Sequence, residues 1–91
     1  MELEGLRASI DDIDKRIIDL FEKRMEVSKS IAQVKKESGK AIFDAKREKD
    51  KIDSLKSILS DKENEKYVED LYRHIFDYSK DVQQKVIDDE K

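Results

Sequence analysis

The stretch IIDLFEKRMEVSKSIAQV, residues 17–34, decides the fold. Ile17, Leu20, Val27, Ile31 and Val34 fall on the three-and-four spacing that lines one face of an α-helix. One position breaks the series: residue 24 belongs to the apolar set by spacing and is an arginine. Upstream, Leu3, Leu6, Ile10 and Ile13 keep the same rhythm, so the pattern is a heptad series sustained over several repeats. A helix is expected from about residue 3 to about residue 36. Ser38-Gly39 supplies its stop, with Gly39 suited to the left-handed backbone just past a helix end.

Composition agrees with helices. The chain has 91 residues, one domain's worth, with 47% charged and 36% hydrophobic side chains, no proline and two glycines. So little punctuation favours a few long helices over many short strands, and the charge content suits helices laced with surface ion pairs. The expected class is all-α.

Two more helices follow by the same logic. Asp44 is placed as the N-cap of a second helix reaching about residue 59, with Ile52, Leu55 and Leu59 on its apolar stripe and Ile58 beside it. Extrapolated back one turn, that stripe lands on Glu48. A polar segment, residues 60–65, precedes a third helix at about residues 64–87. There Val68, Leu71, Tyr72, Ile75, Val82 and Val86 form the apolar face, with Ser79 and Gln83 within or beside it.

Length constrains assembly. A first helix of this size is roughly 50 Å long, whereas a compact chain of this length has a radius of gyration of only about 12 Å. The helix overruns any three-helix monomer, so its seam calls for a second chain. An intertwined helical-bundle homodimer is expected.

Several function classes are disfavoured. The formal charge is −3, and the lysines mostly alternate with Asp and Glu, so no basic face for nucleic acid is expected. With no cysteine there is no disulfide framework and no thiolate metal site. No apolar run approaches a membrane span, and Met1 opens directly into a charged helix, so a cytoplasmic location with no membrane partner is expected. His74, with no serine or cysteine partner, reads as structural or surface, and scattered carboxylates give no metal-ligand pattern.

What remains are polar groups on buried stripes: Arg24, Glu48, Ser79 and Gln83. Lys35 joins them, eleven residues after Arg24, which puts it on the same side of the helix roughly 16 Å away. Taken singly, a polar residue in a heptad core sets register, a lysine near a helix end complements the helix dipole, and Ser79 and Gln83 bond each other or a carbonyl. Taken together, three helices aiming polar groups inward point to a ligand-filled cavity, because unpaired buried charge costs several kcal/mol. Two fixed cations and neutral donors suit a small anion, and arginine's planar fork suits a carboxylate or phosphate.

The run Asp44-Ala45-Lys46-Arg47-Glu48 is a D-x-x-R-E opening of the second helix. With Arg7 placed seventeen residues before Arg24, Lys35 eleven after it, and Ser79 and Gln83 near the end, the ordered set resembles the all-helical (AroQ-type) chorismate mutases over nearly the whole chain. The resemblance implies a single domain over residues 1–91, an intertwined dimer with two sites, and chorismate as substrate. It implies that Arg7 reaches across from the other subunit while Arg24 belongs to the chain that supplies the rest of the site, the two holding the substrate's carboxylates. Lys35 and Gln83 would reach the ether oxygen, with Lys35 also near a carboxylate. Glu48 and the Asp44 N–H would hold the ring hydroxyl, and Arg47 and Ser79 would complete the carboxylate end. Arg24, Lys35, Glu48 and Gln83 are thus the expected catalytic residues.

The implied reaction is the Claisen rearrangement of chorismate to prephenate, in phenylalanine and tyrosine biosynthesis, with no cofactor and no covalent intermediate. One departure is visible: Ala41 stands where many members carry proline before the second helix, which leaves the stiffness of the connection in question. Two rival readings stand beside this one, an isochorismate-pyruvate lyase on the same scaffold and a non-catalytic helical dimerisation or regulatory module.

Overall fold

A computed structural model describes residues 2–89. It contains α1 (Leu3–Ser38), α2 (Ala45–Ser57), a short 3-10 turn (Lys62–Asn64) and α3 (Glu65–Asp88), with no strand among the described residues. The fold is all-α, as the heptad series predicts.

The helix boundaries follow local chemistry. Gly39 ends α1 at φ 72°, and the Lys40 N–H donates to the Lys35 carbonyl at 3.0 Å, so a left-handed residue closes the last turn. The helix runs two residues past the expected end, to Ser38, whose hydroxyl bonds back to the Val34 carbonyl at 2.9 Å. Asp44 caps α2: its carboxylate accepts from the Arg47 N–H at 3.0 Å. That helix stops at Ser57 rather than at residue 59, where Lys62 Nζ takes the Lys56 and Ser57 carbonyls at 2.9 and 3.1 Å. Asp61 then caps the 3-10 turn by accepting from the Glu63 N–H, and α3 begins one residue later than expected, at Glu65.

The C-terminal half of α1 and the whole of α2 pack on α3. The face of α1 packed on α3 is not the heptad seam, which the sequence assigns to a second chain. Leu20, Val27, Ile31 and Val34 are exposed, while the side of α1 facing α3 buries Ser28 and Ala32, flanked by Phe21 and Met25. Positions 21, 25, 28 and 32 form a second three-and-four series on the same helix. Small residues at 28 and 32 let the two backbones approach closely, which is why Ala32 is fully buried.

On α3 the buried line is Phe76, Ser79 and Gln83, with Tyr72 and Val86 half-buried along it. Leu71, placed by sequence on the apolar face, is exposed, and Phe76 takes the core position beside it. Ile52 is the buried anchor of α2, while Ile58 is exposed. The Phe76 ring meets Tyr72 edge-on at 5.9 Å.

A core whose buried apolar side chains among the described residues are Ala32, Ile52 and Phe76 is thin for this length. The radius of gyration is 16.5 Å and the longest extent 55 Å, against the roughly 12 Å radius of a compact chain. Residues 2–20 are exposed throughout, so Leu3, Leu6, Ile10, Ile13, Ile17, Ile18 and Leu20 form a long uncovered apolar face.

Ion pairs tie α2 to α3. Lys56 pairs with Glu69, whose carboxylate also accepts from Arg73 Nη2 at 2.9 Å. The hydrogen bond from Lys56, then that from Arg73, holds the Glu69 carboxyl at about 2, well below the usual carboxylate range. A carboxyl depressed in the folded state contributes stability above its unfolded value of about 4.3, lost as pH falls through the folded value. Glu69→Gln is therefore expected to melt at a lower temperature than the parent at pH 7. The difference closes as pH falls from about 4.5 to about 2, read by thermal melts followed by circular dichroism. A difference independent of pH contradicts this account of the pair.

Candidate active site

Arg24 sits one helical turn before Ser28 on α1 and is half-buried, its guanidinium carbon 5.8 Å from the centre of the Phe76 ring. That contact joins a cation to an aromatic face and leaves the N–H fork free to bind an anion. Among the described residues neither Arg24 nor Arg7 is paired with a carboxylate.

Across the α1–α3 contact lies a buried polar chain. Ser28 Oγ and Ser79 Oγ are 2.5 Å apart, and Gln83 Nε2 donates to Ser79 Oγ at 3.3 Å. The other end of the Gln83 amide, Oε1, is buried without a hydrogen-bond partner among the described residues. Three polar side chains at 3 to 7% exposure are unusual at the centre of so small a core.

The remaining candidates surround this chain at different depths. Lys35 is half-buried near the end of α1, with Nζ on the Ile42 carbonyl at 2.9 Å, so it fastens the connection between α1 and α2. Glu48 lies inward on α2, as its stripe predicts, and pairs with Lys80 Nζ at 3.2 Å. The same ammonium stands 4.4 Å from the Phe43 ring centre. Asp44 is exposed, its carboxylate occupied as the helix cap, and Arg47 is exposed in the first turn behind it.

Arg7 stands apart. Seventeen residues upstream of Arg24 on one continuous helix, it lies roughly 25 Å away along the axis, exposed on the uncovered half of α1. No single molecule of modest size touches both from one chain.

Two concavities on the described residues are open to solvent, and neither brings Arg24, Ser79 and Gln83 together. An open concavity of about 600 Å³ is lined by Lys40–Phe43, Lys80, Asp81, Gln84 and Ile87. Another of about 380 Å³ runs along the outer face of α2 between Asp44 and Ser54.

The chorismate mutase type II family model matches residues 6–84, most of the chain and all three helices. The chain belongs to that family. It is an enzyme of the isomerase class, and chorismate is the substrate that the chorismate mutase family implies. No curated protein and no solved structure matches the chain.

The matched span contains every candidate of this chorismate mutase chain, from Arg7 to Gln83. Two polar contributors escaped the sequence reading. Ser28 carried a signal, since it lies four residues after Arg24 and seven before Lys35, on the same helical side. Lys80 carried none, because its pairing with Glu48 depends on how α2 lies against α3. Elsewhere, His74 is exposed and stacks on Tyr78 at 6.4 Å. Among the described residues no group of three or more His, Cys, Asp or Glu side chains stands where it would hold a metal, and no helix is long and apolar enough to cross a membrane.

Proposed function

We propose that the chain converts chorismate to prephenate by a Claisen rearrangement, in sites that two copies complete together. The observation that carries this reading is the buried Ser28–Ser79–Gln83 chain beside an arginine unpaired among the described residues. A half-buried guanidinium with no protein carboxylate on it is a group whose partner a ligand supplies.

The reaction is unimolecular, so the protein forms no bond to the substrate. Chorismate must be held with its enolpyruvyl arm folded over the ring, a loss of conformational freedom that binding has to impose. Arg24 from one copy and Arg7 from the other clamp the two carboxylates, with Arg47 and Ser79 at the carboxylate end. Glu48 and the Asp44 N–H hold the ring hydroxyl. As the C–O bond breaks, negative charge grows on the ether oxygen, and Lys35 and Gln83 stabilise it more strongly there than in the substrate. That difference lowers the barrier; uniform binding would not.

The roughly 25 Å between Arg7 and Arg24 and the uncovered apolar face of α1 support the dimer. A second copy crossing on that face covers the exposed leucines and isoleucines and brings its own Arg7 to the neighbour's Arg24. Lys35 releases the Ile42 carbonyl, or shares it, when a stronger acceptor arrives. The balance of charge fits a cytoplasmic enzyme of aromatic amino acid biosynthesis with no nucleic-acid or membrane partner.

The test is chorismate disappearance with product identification by NMR, run beside isochorismate. Prephenate from chorismate supports the reading. Pyruvate released from isochorismate, with chorismate untouched, replaces it with the lyase reading.

A further inference from the structure

The buried hydroxyl of Ser28 belongs to none of the roles above, yet it makes the shortest contact in the candidate site, 2.5 Å to Ser79 Oγ. A serine hydroxyl has one proton and two acceptor lone pairs. Gln83 Nε2 occupies one of those lone pairs on Ser79 at 3.3 Å. The 2.5 Å contact accommodates either hydroxyl as donor, and with Ser79 donating to Ser28 the one Ser79 proton is committed there. Ser79 then faces Gln83 as an acceptor alone.

The Gln83 amide has two possible orientations, and its own surroundings do not choose between them. Its Oε1 is sealed from solvent and has no partner among the described residues, so that side faces protein rather than space a ligand enters. Reversing the amide would put Oε1 against Ser79 and turn the N–H groups into that sealed side. Only a Ser79 with no proton to give on that side keeps Nε2 where it is, with its second N–H available.

We infer that Ser28 is a positioning residue for the rearrangement: by accepting the Ser79 proton it holds the Gln83 amide with one N–H on Ser79 and the other toward the reacting ether oxygen. This deepens the proposed function and rests on Gln83 meeting that oxygen. Without the Ser28 hydroxyl, Ser79 is free to donate to the amide, and the orientation that wastes the donors becomes competitive. Ser28 itself touches no substrate.

The experiment is a double-mutant cycle in steady-state chorismate turnover, using Ser28→Ala, Ser79→Ala and the double variant. Alanine already packs at position 32 on the same face, so Ser28→Ala is compatible with the helix contact. The expected result is a kcat lowered about fivefold with KM changed less than about twofold, because the lost interaction acts mainly in the transition state. In the Ser79→Ala background the same change is expected to have no further effect, since the path to Gln83 is already cut.

Equal effects in both backgrounds, or an unchanged kcat for Ser28→Ala, overturn the inference. Ser28→Cys keeps the side-chain shape while weakening the acceptor, and a kcat between those of serine and alanine supports the inference if alanine disturbs packing. A cysteine variant as active as the parent counts against it. A parent protein that does not turn over chorismate defeats the proposed function instead, so the two failures are distinct.

Discussion

Arg24→Ala is expected to lower kcat/KM for chorismate at least about tenfold, a loss of at least about 1.4 kcal/mol of transition-state stabilisation. The fold should survive. Arg24 is half-buried, pairs with no protein carboxylate among the described residues, and contacts the Phe76 ring face at 5.8 Å. A partly exposed cation–π contact is worth about 0.5–1 kcal/mol, a modest fraction of a domain's stability. What the variant loses is a charged fork set to receive a substrate carboxylate in a bidentate grip. Arg24→Lys keeps the charge and loses the fork, so its activity is expected to lie between the two. Helical content by circular dichroism and oligomeric state by sedimentation accompany the kinetics. Loss of both structure and activity would make Arg24 a register device in the seam rather than a ligand-binding group.

Gln83→Glu carries the other large effect, and it depends on pH. A neutral amide donates a hydrogen bond at every pH, whereas a carboxyl donates only while protonated. The parent's kcat should be flat from about pH 6 to about pH 8, because arginine, lysine and carboxylate side chains ordinarily titrate outside that window and amides do not titrate. The glutamate variant is expected to be active in acid and to lose about tenfold per pH unit once the pH exceeds the pKa of the new carboxyl. Ionised, it also places a negative charge against an oxygen that is gaining one, which raises the barrier further. A pH–rate profile of both proteins measures this directly. A glutamate variant whose profile matches the parent's would remove Gln83 from the ether oxygen.

Both effects concern residues that sequence had singled out, while the surface that positions them was only half legible. Gly39 and Asp44 could be read because their functions are local: one supplies a left-handed turn, the other caps the helix it precedes. The long first helix was equally plain, because its apolar series runs without proline, and after Gly5 without glycine, through the repeat. That series marks the side of α1 that its own chain leaves uncovered. The side packed on α3 is carried by Ser28 and Ala32, which close approach of two helices requires and which no hydrophobic periodicity reveals.

Phe76 was hidden for a related reason. Leu71, Tyr72, Ile75 and Phe76 crowd adjacent positions on α3, and only the angle at which α1 crosses decides which are buried. The Glu48–Lys80 pair is tertiary in the same sense. Sequence placed the chemistry-bearing groups on inward faces, but the partner each meets depended on packing. For Arg7 the decisive quantity was length, since a continuous helix holds it far from Arg24.

Mixing two inactive chains tests the shared site most directly. Arg7→Ala and Arg24→Ala chains are purified separately, unfolded together in equal amounts and refolded, and chorismate turnover is compared with each variant refolded alone. If Arg7 serves the neighbour's site, each mixed dimer has one site with both arginines and one with neither. Random pairing then restores about a quarter of the parent's activity. Turnover no higher than the mean of the two separate variants, with mixed dimers shown to be present, would contradict the account.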